Sequence, residues 1–221
     1  MTGRHFVPAA GRDWLLPLYD PLTTLLGVRR FHRHLLEQAE IAAGSRVLDV
    51  GCGTGNLSLL AKRLHPAADV TGIDPDPKAL ARAHRKARRG GVVVQFDLAY
   101  AEQLPFPDGS FDRVLSALML HHLDADAKVP ALREVCRVLK PGGSLHLADF
   151  DAGGHARGLH GFLASLLHSR HARAVRSPVP DLMQDAGLAH AEEVARRISV
   201  MGPIAYYRAV RSPSPAPAAA R

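Results

Sequence analysis

The stretch at residues 47–58 constrains the fold most, because a short apolar run there leads into a glycine-rich loop and then into a predicted helix. Gly51, Gly53 and Gly55 occupy alternate positions of that loop. Glycine adopts positive φ and has no Cβ, so the backbone can approach a ligand closely. The helix predicted from Asn56 directs free N–H groups and the positive end of its dipole at the same place. The stretch therefore predicts the first strand, binding loop and helix of an α/β domain, although Asn56 breaks the dinucleotide pattern G-x-G-x-x-G.

A second predicted strand, at 69–73, ends at Asp74 and is followed by Pro75. In a doubly wound sheet Asp74 would lie beside the glycine loop, where its carboxylate can accept hydrogen bonds from both hydroxyls of a ribose. The same residue could instead cap the helix that follows, and the two roles are compatible. Loop and acid together predict a site for an adenosine-containing cofactor.

Four further motifs, together with the glycine loop and Asp74, carry a resemblance to a known family. They are Tyr19-Asp20, the run 101–112 (AEQLPFPDGSFD), the run 137–143 (RVLKPGG) and the run 182–188 (LMQDAGL). With the glycine loop and Asp74, they make the chain resemble a class I S-adenosylmethionine-dependent methyltransferase. Within that group it is similar to the ubiquinone and menaquinone biosynthesis C-methyltransferases and their small-molecule relatives.

The resemblance implies a Rossmann-like, doubly wound seven-stranded α/β sheet, mostly parallel, with an antiparallel C-terminal edge strand and a helical N-terminal cap. The alternation of the sequence agrees with it, with strands predicted at 46–50, 69–73, 92–97, 112–118 and 144–149 and helices at 56–64, 76–88 and 128–139. Two further strands are expected near 192–200 and 203–210. The expected organisation is a cap at 1–43, a methyltransferase domain at 44–210 with a substrate lid at 150–180, and a disordered tail at 211–221.

The resemblance also implies S-adenosyl-L-methionine as cofactor, with the glycine loop around its methionine part, Asp74 at the ribose and Ala101 at the adenine. One departure concerns Tyr100, which stands where relatives carry Asp or Asn to read the adenine amino group; Glu102 or Asp97 could take over that contact. We therefore expect weaker cofactor binding than in relatives. The predicted cofactor-binding set is Tyr19, Asp49, Gly51, Cys52, Gly53, Thr54, Gly55, Asn56, Asp74, Pro75, Tyr100, Ala101, Glu102 and Ala117.

Methyl transfer from a sulfonium is an in-line displacement in which alignment supplies most of the rate. A general base is needed only if the acceptor must lose a proton, and His121 and His122, just beyond the fourth strand, are the candidates. Either could instead cap the strand end or contact the methionine part of the cofactor. No metal site is expected, because the spacing of the histidines in the lid does not form a ligand face. Those histidines are His155, His160, His168 and His171.

The formal charge of +7 raises the question of nucleic acid, but much of the excess lies in residues 82–89, where a solvated helix end explains it. Aromatic residues are only 5% of the chain and do not interleave with that run, which argues against a nucleic-acid partner. No apolar run approaches the roughly 20 residues of a transmembrane helix, and two cysteines give no disulfide framework, so we expect a cytoplasmic protein. The expected partner is a small, apolar methyl acceptor, with the protein a monomer or homodimer. The alternatives are an RNA methyltransferase and a non-catalytic S-adenosylmethionine-binding protein.

Overall fold

The structure is a computed structural model that describes residues 28–150, 178–199 and 202–213. The helices are α1 (Val28–Ala39), α2 (Asn56–Leu64), α3 (Pro77–Arg89), α4 (Ala125–Val138) and α5 (Val179–Asp185), with a short 3-10 helix at Leu120–His122. The strands are β1 (Arg46–Val50), β2 (Asp69–Asp74), β3 (Gln95–Leu98), β4 (Phe111–Ala117), β5 (Leu139–Phe150), β6 (Ala189–Ser199) and β7 (Gly202–Val210). Of the described helices, none is long and apolar enough to cross a membrane.

The strands form one seven-stranded sheet in the order β3-β2-β1-β4-β5-β7-β6. Strands β1 to β5 pair in parallel, and β7 pairs antiparallel with both β5 and β6. The strand order changes direction between β1 and β4, and the carboxyl ends of both strands meet there. Ligands of open α/β sheets bind at such a switch point. The predicted Rossmann-like sheet is confirmed, with the antiparallel strand β7 lying second from the edge, inside β6.

Alternation of side chains along the strands divides the core into two layers. On one face α1, α2 and α3 pack over a cluster that includes Val47, Val70 and Leu115. On the other face α4 and α5 pack over a cluster that includes Leu48 and Val114. Helix α1, which lies within the predicted cap at 1–43, shares the core of the sheet.

Several boundaries differ from the sequence prediction, among them the starts of β5, at Leu139 and not at 144, and of β6, at Ala189 and not at 192. Strand β3 begins at Gln95 and not at 92, because Gly90 and Gly91 end α3 and the Val92 amide still donates to the Ala87 carbonyl. Helix α4 begins three residues earlier, at Ala125, and includes Pro130. The ordered chain also extends past 210, since the Arg211 guanidinium donates to the Arg137 and Leu139 carbonyls. Residues 1–27 of the predicted cap, with Tyr19 among them, most of the lid and residues 214–221 lie outside the described residues.

Candidate functional site

The glycine loop joins β1 to α2 with all three glycines at positive φ: 73° at Gly51, 52° at Gly53 and 77° at Gly55. The first loop amides, Gly51 and Cys52, both donate to the Ile73 carbonyl at 2.9 Å, so the loop is anchored to the end of β2. At two of these glycines, other atoms of the protein lie where a Cβ would be placed. A Cβ at Gly51 would overlap the side chain of Met119, and one at Gly55 would lie 2.9 Å from Ala83 and Phe96. Glycine at 55 is thus required by the packing of α3 and β3.

Asp74 lies at the carboxyl end of β2 and fastens this loop in place. Its Oδ2 accepts from the Gly53 amide at 2.8 Å and its Oδ1 from the Asp76 amide at 2.9 Å. The cap of α3 is Asp76, whose side chain accepts from the Lys78 amide. Burial raises the pKa of Asp74. Because a carboxylate has about four acceptor sites, Asp74 keeps capacity for two hydroxyl groups beyond these two amides.

Asp49, on β1, lies beneath the loop. It is 1% exposed, and its Oδ2 accepts from the Ser58 hydroxyl, in the first turn of α2, at 2.5 Å. Burial raises the pKa of Asp49 to about 7, and the nearby Asp74 adds to the shift. Asp49 therefore ties β1 to α2. Sequence reasoning did not single out Ser58, nine positions away.

Lys86 reaches the loop from behind. Its Nζ donates to Asn56 Oδ1 at 2.5 Å and to Thr54 Oγ1 at 3.1 Å. In the sequence Lys86 belongs to the basic run at 82–89, yet here it holds α3 against the loop and the start of α2.

The pKa of the Cys52 thiol is raised well above its ordinary value by burial, so this loop residue is a packed, neutral thiol.

The predicted adenine-side residues form a turn next to Asp74. The Ala99 amide donates to the Asp74 carbonyl at 3.3 Å, and the Gln103 amide donates to the Tyr100 carbonyl at 3.2 Å. Within this turn Ala101 is 8% exposed, whereas Tyr100 and Glu102 are half-buried. Pro75, also half-buried, follows Asp74 directly. The structure thus brings the predicted ribose and adenine residues to one edge of the sheet.

The end of β4 lies at the same carboxyl edge of the sheet, on the other side of β1 from β2. Ala117 pairs with Ala148 of β5, and the Ser116 hydroxyl donates to the Val50 carbonyl of β1. Leu118 then adopts φ 56° and its amide donates to the Ala148 carbonyl. This turn delivers the 3-10 helix and its two histidines to the carboxyl ends of the central strands.

His121 is paired with a carboxylate that the sequence analysis missed. Its Nδ1 lies 2.6 Å from Asp149 Oδ1, and its backbone amide donates to Asp149 Oδ2 at 2.9 Å. Asp149, at the end of β5, is 3% exposed and also accepts from the Phe150 amide. The His122 ring stacks on His121 with centroids 4.0 Å apart, and Phe150 meets His121 edge-on at 5.1 Å. An acid at the end of the strand next to β4 was a usable sequence signal.

The hydrogen-bonding groups at the carboxyl edge of the sheet fit S-adenosylmethionine. The N-cap of α2 is Gly55, which offers no side-chain cap, so the helix start can face a carboxylate as the sequence predicts. Asp74 offers a buried acceptor for ribose hydroxyls. Among the described residues no group of three or more His, Cys, Asp or Glu side chains could hold a metal ion.

Comparison with known proteins shows that part of this chain is similar to methyltransferases. Residues 47–143 match the model of a methyltransferase domain. The demethylmenaquinone methyltransferase of Thermus thermophilus is 42% identical over 139 residues, which cover 62% of each chain. The 27-O-demethylrifamycin SV methyltransferase of Amycolatopsis mediterranei is 42% identical over 114 residues, covering 50% of this chain and 40% of that protein. The chain thus spans about three fifths or less of the length of these curated relatives.

Among solved structures, the YcgJ protein of Bacillus subtilis superposes with a TM-score of 0.67 at 22% identity, covering 83% of this chain and 98% of that one. At this identity the likeness shows the fold alone.

Proposed function

We propose that the protein transfers a methyl group from S-adenosylmethionine to a small, apolar acceptor, because residues 47–143 match the model of a methyltransferase domain. The observation that carries the finer part of this proposal is the His121–Asp149 pair at the carboxyl edge of the sheet. It supports an acceptor that must lose a proton, such as a hydroxyl group.

In this proposal the glycine loop and the start of α2 hold the methionine part of the cofactor, Asp74 holds the ribose, and the turn at Tyr100–Gln103 borders the adenine. The cofactor supplies an electrophilic methyl group on a sulfonium. The remaining cofactor contacts proposed from the sequence include Tyr19 and Ala117. Asp49, through Ser58, and Lys86, through Thr54 and Asn56, hold the loop and the start of α2 in place.

Asp149 gives His121 a defined role. With Nδ1–H donating to the buried carboxylate, the neutral imidazole presents Nε2 as its proton-accepting nitrogen. The second bond, from the His121 amide, fixes the backbone as well as the ring. Asp149 then stabilises the imidazolium that forms when the acceptor hydroxyl gives up its proton. His122, stacked on His121, was the other candidate from the sequence, and the geometry supports His121 as the base.

The names of the curated relatives, which include a menaquinone-pathway and a rifamycin methyltransferase, support an apolar ring compound as acceptor. Both cysteines, Cys52 and Cys136, are free thiols, which supports the cytoplasm as location. Within the described ranges, nothing in the site supports nucleic acid as acceptor.

A two-step experiment tests this function. Calorimetric titration with S-adenosylhomocysteine first measures cofactor-site binding, and transfer of a labelled methyl group to a panel of phenols and hydroxynaphthoquinones then identifies acceptors. We expect His121→Gln to bind S-adenosylhomocysteine as the unaltered protein does and to lose about 10²–10⁴-fold in turnover. Asp149→Asn should lower turnover and shift its pH profile, because the imidazolium loses its counter-charge.

His122→Gln is the matched control, since it removes a stacked imidazole without removing the bond to Asp149. Equal turnover in His121→Gln and the unaltered protein would contradict the base role while leaving methyl transfer intact. Failure to bind S-adenosylhomocysteine would contradict the proposed cofactor.

A further inference from the structure

The charge of this protein is divided between the two faces of the sheet. Helix α3 carries six cations and no carboxylate, α2 carries two cations and no carboxylate, and α1 carries three arginines and one glutamate. These three helices, all packed on one face, contribute a formal charge of +10. Since the whole chain is +7, everything else sums to −3. Helices α4 and α5, on the opposite face, together carry −1.

Most of these cations are available to a partner. Seven arginines of this face are exposed, and in the part of the chain that the structure describes none of them forms an ion pair with a carboxylate. They are Arg29, Arg30, Arg33, Arg63, Arg85, Arg88 and Arg89. By contrast, Arg137 on the opposite face is paired with both Glu134 and Asp108. We call the exposed surface of α1, α2 and α3 the basic face.

Exposed apolar side chains adjoin the cations at one end of the basic face. The last turns of α2 and α3 lie together, because a Cβ at Gly90 would meet Arg63 Nη2 at 2.6 Å. Beside them Val93 is 83% exposed and Leu64 is 39% exposed. Arginines bordering exposed aliphatic side chains form a surface that can meet phosphate headgroups and the acyl chains just below them.

We propose that the basic face docks the protein on an anionic phospholipid bilayer. Three helices packed side by side on a sheet give a broad surface suited to a planar partner. A single-stranded nucleic acid would need aromatic side chains on which bases stack, but α2 and α3 contain no Phe, Tyr or Trp and the Phe31 ring of α1 is buried. Docking would also hold the enzyme where an apolar acceptor concentrates, although the docking itself does not depend on the proposed reaction.

Co-sedimentation with lipid vesicles tests the proposal without cofactor or acceptor. The full chain is mixed with phosphatidylcholine vesicles and with vesicles containing roughly one third phosphatidylglycerol. We expect binding to the second kind alone, and its loss as salt is raised from about 0.05 M to about 0.5 M, because screening shortens the reach of the charges. Each cation near an anionic surface strengthens binding about fivefold, so Arg85→Gln/Arg88→Gln/Arg89→Gln should bind about a hundredfold more weakly.

The matched control, Lys128→Gln/Arg133→Gln/Arg197→Gln, removes the same charge from α4 and β6 and should bind as the unaltered protein does. A second variant, Arg29→Gln/Arg30→Gln/Arg33→Gln, changes a different helix of the basic face and keeps the test open if the first fails to fold. No binding to anionic vesicles, equal loss in the face variants and the control, or capture of single-stranded RNA in place of vesicles would each overturn the proposal.

Discussion

At the scale of single residues, Asp74 joins the glycine loop to the proposed ribose site. It accepts hydrogen bonds from two backbone amides. In the proposed function it would also accept hydrogen bonds from two ribose hydroxyls. Hydrogen bonds to a charged group contribute about 1.5–3 kcal/mol each, so we expect Asp74→Ala to weaken S-adenosylhomocysteine binding by at least about a hundredfold. Calorimetric titration measures this directly.

The matched control is Asp69→Ala, which removes an exposed carboxylate at the other end of the same strand. It should bind the ligand as the unaltered protein does. If Asp74→Ala bound within a few-fold of the unaltered protein, Asp74 would be a structural cap of the loop and would have no role at the ribose.

The residues that sequence reasoning found differ from those that it missed in how far apart in the sequence their contact partners lie. Asp74 and the glycines can be recognised in the sequence, because the strand, the loop and the acid form a short local pattern. Lys86 bonds to Thr54 across 32 positions, and His121 bonds to Asp149 across 28, so their roles exist only once the strands are side by side. Sequence suggested a base at His121 from its position after β4, but not the carboxylate that orients it.

At the scale of elements, the contact between α3 and the glycine loop depends on Gly55. Its φ of 77° is one that side-chain-bearing residues rarely adopt, and a Cβ there would lie 2.9 Å from Ala83 and Phe96. Gly44 has nearly the same φ, 76°, but nothing within 4 Å of its Cβ position. We expect Gly55→Ala to lower the free energy of unfolding by about 1–3 kcal/mol more than Gly44→Ala, because overpacking adds to backbone strain.

Urea unfolding followed by circular dichroism compares the two variants. Equal destabilisation would mean that the Phe96 ring moves aside at no cost and that α3 does not depend on a bare backbone at 55. Because this packing is internal, glycine at 55 is not by itself a sign of ligand binding.

Element order was predicted well by periodicity, whereas element ends were not. The alternation of strand and helix patterns identifies β1 to β5 and their connecting helices. It does not show that residues 92–94 continue the turn after α3, because their valines have the same preference for strands as the residues that follow. Nor does it place β7 between β5 and β6, since that pairing joins residues far apart in sequence.

At the scale of the whole molecule, three buried titratable groups with large pKa shifts contribute to how stability responds to acid. Burial lowers the pKa of His32 and of His146 to about 3, from an ordinary 6.5. His146 bonds to the Ser144 hydroxyl through Nε2, and its Nδ1 is buried with no hydrogen-bond partner among the described residues. Both histidines are neutral when folded, so the stability that they contribute is present above pH 6.5 and is lost as pH falls towards 3.

Asp49 acts in the opposite direction. Its pKa is raised from 3.8 to about 7, so the folded chain holds a proton there that the unfolded chain has released. The resulting stability is fully present below pH 3.8 and is lost as pH rises to about 7. Between about pH 4 and pH 6.5 the single carboxyl therefore offsets one of the two histidines.

We accordingly expect Asp49→Asn, which keeps an acceptor for the Ser58 hydroxyl, to make the protein more sensitive to acid. The free energy of unfolding should fall more steeply on acidification between about pH 6.5 and pH 4, by about 1.4 kcal/mol per pH unit relative to the unaltered protein. Above about pH 7 the two curves should run parallel, because Asp49 is then ionised in both the folded and the unfolded chain. Urea titrations at intervals of pH give both curves. Parallel curves across the whole range would show that Asp49 is ionised in the folded protein throughout, and hence that the environment beneath the glycine loop stabilises a charge there.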